Sequence, residues 1–277
     1  MTHATPDLST FDALVFSTSG GKDSSAALAE VVDAAETAGV RDRITVVHAD
    51  LGEAEWPGTV QLAAAHAARY DLPFTVVARR HPNRAVETIL ERVAGRGRWP
   101  DAKRRWCTSD HKRGPIRKEM TRIVTHLRET GKVRGRPARL LNIMGLRAEE
   151  SAARARRAPL ALDTTISSGR REIYNWNPIH DWPTSRVWDR IEQADLDVHP
   201  AYADMSRLSC RFCVLARRRD LIAAARLNPE YAAQHAEIES AIGHRFRHAL
   251  SMEQIIDAAN RGDDQTEQGA LPPCMRR

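Results

Sequence analysis

The sequence predicts an α/β fold, a doubly wound and mostly parallel sheet of five strands followed by a helical C-terminal region. Three observations predict it. Short apolar runs alternate with longer stretches of helical apolar spacing over the first two thirds of the chain, the pattern of successive βαβ units. The first run is broken at its carboxyl end by a glycine pair, Gly20-Gly21. Beyond about residue 177 the strand pattern stops and three helical patterns succeed one another.

Taken in order, a strand is expected over 12–17, Asp-Ala-Leu-Val-Phe-Ser. Residues 24–38 are Ala-rich with helical spacing, and Gly39 stops them. Strands follow over 44–49 and 74–78, around a helix over 56–70 that ends near Asp71-Leu72-Pro73. A helix is read over 83–93, a Gly- and Arg-rich loop over 95–110 and a helix over 115–128. The fourth and fifth strands are read over 139–145 and 171–175. A Pro- and Trp-rich stretch over 178–188 leads to Cys210-x-x-Cys213, and helices are expected over 214–226, 229–242 and 251–260. The polar tail from Gly262, with Pro272-Pro273, is expected to be flexible. The expected division is 1–200 for the sheet domain, 201–262 for the cysteine pair and helices, and 263–277 for the tail.

At 277 residues the chain can bury a full α/β core. It has no run of eighteen apolar residues, so a membrane-spanning helix is not expected. Residues 1–10 lack a basic segment followed by an apolar one, so a cytoplasmic location is expected. Four cysteines are too few for a disulfide scaffold in a chain of this length, and the Cys210-x-x-Cys213 pair points to a metal, a cluster or redox chemistry. The net charge of +6 is uneven: from Arg92 to Arg139 there are sixteen Lys or Arg against four acids, a local excess of +12. That excess attracts polyanions, either nucleotide phosphates or a DNA or RNA backbone, or else it is a set of solvated helix faces.

The chemistry gathers at strand ends, where open α/β sheets bind ligands. Ser17-Thr18-Ser19-Gly20-Gly21-Lys22-Asp23-Ser24 follows the first strand. Two glycines let the backbone turn tightly and present N–H groups to a phosphate, with Ser17, Ser19 and Ser24 nearby. The following helix offers its positive N-terminus, and Lys22 can neutralise a leaving pyrophosphate. The spacing is neither Gly-x-x-x-x-Gly-Lys nor Gly-x-Gly-x-x-Gly. At the second strand end, Asp50 is a candidate ribose, adenine or metal contact, and His48 is a site residue or a structural one. After the fourth strand, Gly145-Leu-Arg147-Ala-Glu-Glu150-Ser151 places an Arg able to fork onto phosphate or sulfate, with Glu150 to hold it.

The Ser-Gly-Gly-Lys-Asp-Ser string resembles the PP-loop of the ATP-pyrophosphatase superfamily. With Gly145-x-Arg147-x-x-Glu150-Ser151 and Pro178-Ile179-x-x-Trp182 followed by Val187-Trp188, the sequence resembles the phosphoadenylyl-sulfate (PAPS) reductase family. The resemblance spans roughly residues 14–216. It implies a Rossmann-like fold with an adenosine nucleotide, ATP with Mg or adenylyl sulfate (APS) or PAPS, over the sheet. Lys22, Asp23, Arg147 and Cys107 are then the candidate catalytic residues. The implied binding set is Ser17, Ser19, Gly20, Gly21, Lys22, Asp23, Ser24, His48, Asp50, Gly145 and Arg147.

The cysteines separate the subfamilies. Thiol-dependent PAPS reductases carry a C-terminal Glu-Cys-Gly, whereas here Cys274 stands in Pro-Pro-Cys-Met-Arg-Arg, without the Glu or the Gly. Assimilatory APS reductases hold a 4Fe-4S cluster on a Cys-Cys pair and a distant Cys-x-x-Cys. Here Cys107, Cys210 and Cys213 match that placement, with Trp106 at one Cys position. Three thiolates leave one iron without a protein ligand unless Cys274 or another donor completes the set, and an open iron is the arrangement that sulfur-transfer PP-loop enzymes use. Zinc with His111 as fourth ligand, or unpaired thiols, are the alternatives. The expected activity is adenylylation of an acceptor, DNA or RNA among the candidates, followed by sulfur transfer from a donor such as a cysteine desulfurase. The sulfur-transfer proteins of DNA phosphorothioation systems share this combination of motifs. A reductase of APS or PAPS, and a non-catalytic nucleotide sensor, are the competing classes.

Overall fold

The computed structural model describes residues 5–263, so the tail and Cys274 lie outside the described residues. The elements are β1 (Ala13–Thr18), α1 (Lys22–Thr37), β2 (Ile44–Ala49), α2 (Thr59–Arg69), β3 (Phe74–Val77), α3 (Ile89–Arg96), α4 (Trp106–Thr108), α5 (Gly114–Glu129), β4 (Ala138–Met144), α6 (Ala152–Ala155), β5 (Leu160–Leu162), β6 (Arg171–Trp176), α7 (Thr184–Gln193), α8 (Arg218–Leu227), α9 (Pro229–Ile242) and α10 (Met252–Asn260). The sheet order is β3-β2-β1-β4-β6-β5. Every pair is parallel except β5 with β6. The five expected strands are therefore joined by a sixth. Its Leu160, Ala161 and Leu162 are all exposed, so it carries no burial pattern to signal a strand.

Side chains alternate across β1 and feed two cores. Leu14 and Phe16 face α1 and α7, where Ala26, Val31, Val187 and Ile191 are buried. Ala13 and Val15 face α5 through Met120, Val124 and Leu127. A third cluster joins the C-terminal helices to earlier chain: Trp56, Val93, Trp99 and Trp106 pack with Phe212, Leu221, Ile222, Phe246 and Ile255. The region after residue 200 thus shares one core with the loop that carries Cys107.

Local rules explain where elements begin. The helix expected over 83–93 starts only at Ile89. Thr88 and Glu91 form a capping box there, and 81–87 turn back so that Arg80 and Val86 form an isolated bridge. The helix expected from 214 starts at Arg218. The Pro-rich stretch holds an unanticipated helix, α7, which follows Pro183 and buries Val187 and Ile191. The end of the Arg-rich loop turns helical at Trp106, passes through a π-helical turn, Ser109–Arg113, and enters α5.

Candidate functional site

Chain direction creates the site. After β1 the chain runs to β2 and β3 on one side, and after β4 it runs to the other side, so the loops leaving β1 and β4 diverge. A crevice opens at such a switch point, beyond the carboxyl ends of the strands. The loop 19–21 and the residues 145–147 stand on its two sides.

The β1 loop is held by its own hydroxyls. The Ser19 N–H donates to Ser24 Oγ at 3.3 Å, and the Gly20 N–H donates to Thr18 Oγ1 at 3.2 Å. Ser24 Oγ in turn donates to the Gly21 carbonyl at 2.8 Å. Gly20 has φ +68°, and a Cβ there would stand 3.0 Å from Thr59 Cγ2 and 3.1 Å from Thr59 O, so the position requires glycine. The first intrahelical bond of α1 runs from Ser25 N–H to Gly21 O at 3.0 Å, leaving the amides of residues 22–24 outside the helix ladder. Lys22 is 8% exposed, with Nζ 2.6 Å from Asp23 Oδ2.

Asp23 also bridges the crevice. Its Oδ1 accepts from Arg147 Nε at 2.5 Å, while Arg147 Nη1 donates to Glu149 and to the Trp182 carbonyl at 3.0 Å. Arg147 Nη2 donates to Thr184 Oγ1 at 3.2 Å. Burial works against the Arg147 charge, but Asp23 and Glu149 more than offset it and raise its pKa. Glu149 rather than Glu150 holds the guanidinium. Glu150 accepts the Arg147 backbone N–H at 3.0 Å and pairs with Arg154. Gly145 lies against the helix start: a Cβ there would be 2.5 Å from the Asp23 carbonyl oxygen.

A polar row crosses the sheet under this crevice. Ser17 Oγ donates to Asn142 Oδ1 at 3.3 Å, Asn142 Nδ2 donates to Asn175 Oδ1 at 2.7 Å, and Asn175 Nδ2 donates to Asp163 Oδ2 at 3.1 Å. At the end of β2, His48 is 1% exposed, with Nε2 2.9 Å from Glu55 Oε2 and Nδ1 without a partner. Asp50 accepts from Gly52 N–H at 2.7 Å. Asp50, Glu55, Trp56, Thr59 and Arg211 line a cavity of about 190 Å³ beside the loop.

The three described cysteines are free and half-buried. Burial raises the Cys107 thiol, and Cys213 raises it further; burial likewise pushes Cys210 up to about 12, against the pull of Lys112. Each thiol's charge acts on the others', so the three lie near one another, Cys107 in α4 and the pair in the turns before α8. Among the described residues no group of three or more His, Cys, Asp or Glu could hold a metal ion. His111 does not complete a zinc set. It is 1% exposed with Nε2 unpartnered, and burial, with Arg79 beside it, lowers its pKa to about 4. The residue that sequence reading missed is Tyr202, whose hydroxyl accepts the Lys22 N–H at 2.8 Å. A lone Tyr after Pro200, outside any motif in the sequence, gave no signal.

The family described as "Phosphoadenosine phosphosulfate reductase domain" matches residues 13–215. No curated protein matches the sequence. Among solved structures, one similar fold is that of PAPS reductase from Candida auris in a phosphate complex, at 17% identity over 71% of this chain and 82% of that one, TM-score 0.43. Another is FMN adenylyltransferase from Candida glabrata with FAD and inorganic pyrophosphate, at 14% identity over 74% and 57%, TM-score 0.45. A third is the U34-tRNA thiolase NcsA from Methanococcus maripaludis with its 4Fe-4S cluster, at 11% identity over 96% and 76%, TM-score 0.42. The chain spans 57% of the adenylyltransferase.

Proposed function

The chain belongs to the phosphoadenosine phosphosulfate reductase domain family, and from that premise we propose that it binds ATP in the crevice and adenylylates an acceptor for sulfur transfer. The observation that carries the reading is the β1 loop itself. First-turn amides of α1 outside the helix ladder and a buried Lys22 face a switch-point crevice, the arrangement that binds phosphates. An acceptor oxygen attacks the α-phosphorus, the bond to the β-phosphate oxygen breaks, and pyrophosphate leaves. Lys22 and the loop amides offset the charge that develops on the leaving group. Asp23 orients the Lys22 ammonium and, through Arg147, fixes the far wall of the crevice. A sulfur nucleophile from a donor such as a cysteine desulfurase then bonds to the activated centre, and AMP departs with the acceptor oxygen.

The family resemblance supports Cys107, Cys210 and Cys213 as the residues that would hold a 4Fe-4S cluster; among the described residues they form no donor set of three for a metal ion. Held there, such a cluster would supply sulfur-transfer chemistry to the activated acceptor. Around Cys107 the exposed Arg98, Lys103, Arg104, Arg105 and Arg113 present positive charge, which supports a nucleic-acid acceptor.

The test is ATP binding and pyrophosphate release with candidate acceptors, using anaerobically prepared protein. Lys22→Ala is expected to weaken binding or turnover at least tenfold, about 1.4 kcal/mol. Unchanged binding and turnover in that variant would remove the assignment. Consumption of APS or PAPS with sulfite release, and no pyrophosphate from ATP, would select the reductase. Tight nucleotide binding with no turnover on any substrate would select a sensor.

A further inference from the structure

The chain between α7 and Cys210 crosses the mouth of the phosphate loop, and one of its side chains enters. Tyr202, on the 3-10 turn Pro200–Ala203, is 6% exposed. Its Oη accepts the Lys22 N–H at 2.8 Å. A Cβ on Gly21 would stand 3.3 Å from the same oxygen and 3.5 Å from Leu208 Cβ, so phenol and leucine lie against the loop. The ring meets Trp188 edge-on, with centroids 5.3 Å apart. Both ends of the segment are fastened. His199 Nε2 lies 3.0 Å from the Pro57 carbonyl, and the buried Asp220 accepts from the Ser206 N–H at 3.1 Å and the Ser206 hydroxyl at 2.7 Å.

The Tyr202 hydroxyl accepts the Lys22 N–H and still has its own hydrogen to give. Accepted bonds polarise an O–H and strengthen it as a donor. Burial raises the phenol pKa, with the nearby Asp23 charge acting in the same direction, so the hydrogen stays in place. The Lys22 amide belongs to the first turn of α1, where an anion is favoured, and a phosphate oxygen there is the acceptor such a donor suits.

We propose that Tyr202 contacts the nucleotide's phosphates through its O–H while its oxygen, through the Lys22 amide, ties the segment bearing Cys210 to the occupied loop. The proposal rests on the nucleotide reading above and adds to it the link between nucleotide and thiols. Leu208, which lies against Gly21, precedes Cys210 by two residues, so holding this segment fixes where the thiol pair begins relative to the phosphate loop.

Hydrogen–deuterium exchange of the full chain tests this, read over 20–25 and 203–209 with and without inorganic pyrophosphate or Mg-ATP, with binding followed by calorimetry. In the wild type, saturating pyrophosphate is expected to slow exchange in both segments, by about fivefold or more over 203–209. Tyr202→Phe is expected to bind about tenfold more weakly, the loss of one hydrogen bond to a charged group. Once saturated, it should protect 20–25 but no longer 203–209. Wild-type affinity in Tyr202→Phe, or a response over 203–209 that survives the substitution, overturns the proposal. If Tyr202→Phe does not fold, the wild type decides: bound pyrophosphate with unchanged exchange over 203–209 also overturns it. Failure of both ligands to bind the wild type overturns the nucleotide reading together with this one.

Discussion

At Arg147, every nitrogen of the guanidinium already has a partner: Asp23, Glu149, the Trp182 carbonyl and Thr184. The side chain is 3% exposed, so these bonds join the β4 loop, the start of α1 and the start of α7 in a setting that water barely reaches. A lysine ammonium cannot reach the same partners, because it presents one point of charge where the fork presents a plane. Arg147→Lys is therefore expected to cost nearly as much as Arg147→Ala, about 2 kcal/mol, seen as a Tm lower by roughly 4–8 °C. A lysine variant melting with the wild type would show that the fork geometry does not matter. Asp23 stands at the junction of this network with Lys22, so its loss would touch both the crevice wall and the phosphate loop.

Between elements, the closest approach in the site is that of the β4 end to the start of α1. A Cβ on Gly145 would fall 2.5 Å from the Asp23 carbonyl oxygen, 2.7 Å from its carbon and 2.9 Å from Ser24 Cα, all rigid backbone. Gly145→Ala must push β4 and α1 apart, at a cost of about 1–3 kcal/mol, and nucleotide affinity should fall because the first-turn amides move. Gly95 in α3 is the control: it has open space within 4 Å, and Gly95→Ala should stabilise by about 0.5–1 kcal/mol. Paired calorimetry and ATP titration of the two variants read both effects. An unchanged affinity in Gly145→Ala would show that this contact does not set the loop.

For the whole molecule, acid should be a sensitive variable. Burial, with Arg79 beside it, lowers His111 to about 4, and burial among Trp99, Phe212, Tyr231 and Phe246 lowers His235 to about 4. Both rings are neutral in the fold, whereas in the unfolded chain they take up a proton below about pH 6.5. Unfolding then binds protons, so their contribution is complete above pH 6.5 and is lost as pH falls toward 4. Melting temperature should drop across that window, and His235→Phe should flatten the drop; an unaltered slope would exclude that ring. The same scale governs the charge excess. Binding of DNA or RNA should weaken steeply with added salt, because released counterions drive it. An absence of binding at low salt would move the acceptor to a small molecule. No helix among the described residues is long and apolar enough to cross a membrane.

The sequence by itself determined the alternating α/β plan, the family and the glycine turn after β1. Each is written in short contiguous stretches whose backbone demands are local: apolar alternation in β1, a left-handed Gly20, helical spacing in α1. It also grouped Cys107, Cys210 and Cys213 through family resemblance, but among the described residues no group of three or more could hold a metal ion. It did not reveal β5, whose exposed residues obey no burial period, or α7, whose helix hides behind prolines. Tertiary structure alone decided what faces what. The reversal of strand order puts the loops of β1 and β4 across one crevice, which aims Arg147 at Asp23 over a separation of 124 residues. Packing of the C-terminal helices on Trp99 and Trp106 helps seat the chain after α7 where Tyr202 meets the Lys22 amide, 180 residues away in sequence. Such contacts depend on where whole elements come to rest, and no periodicity or spacing within a single stretch of chain encodes that.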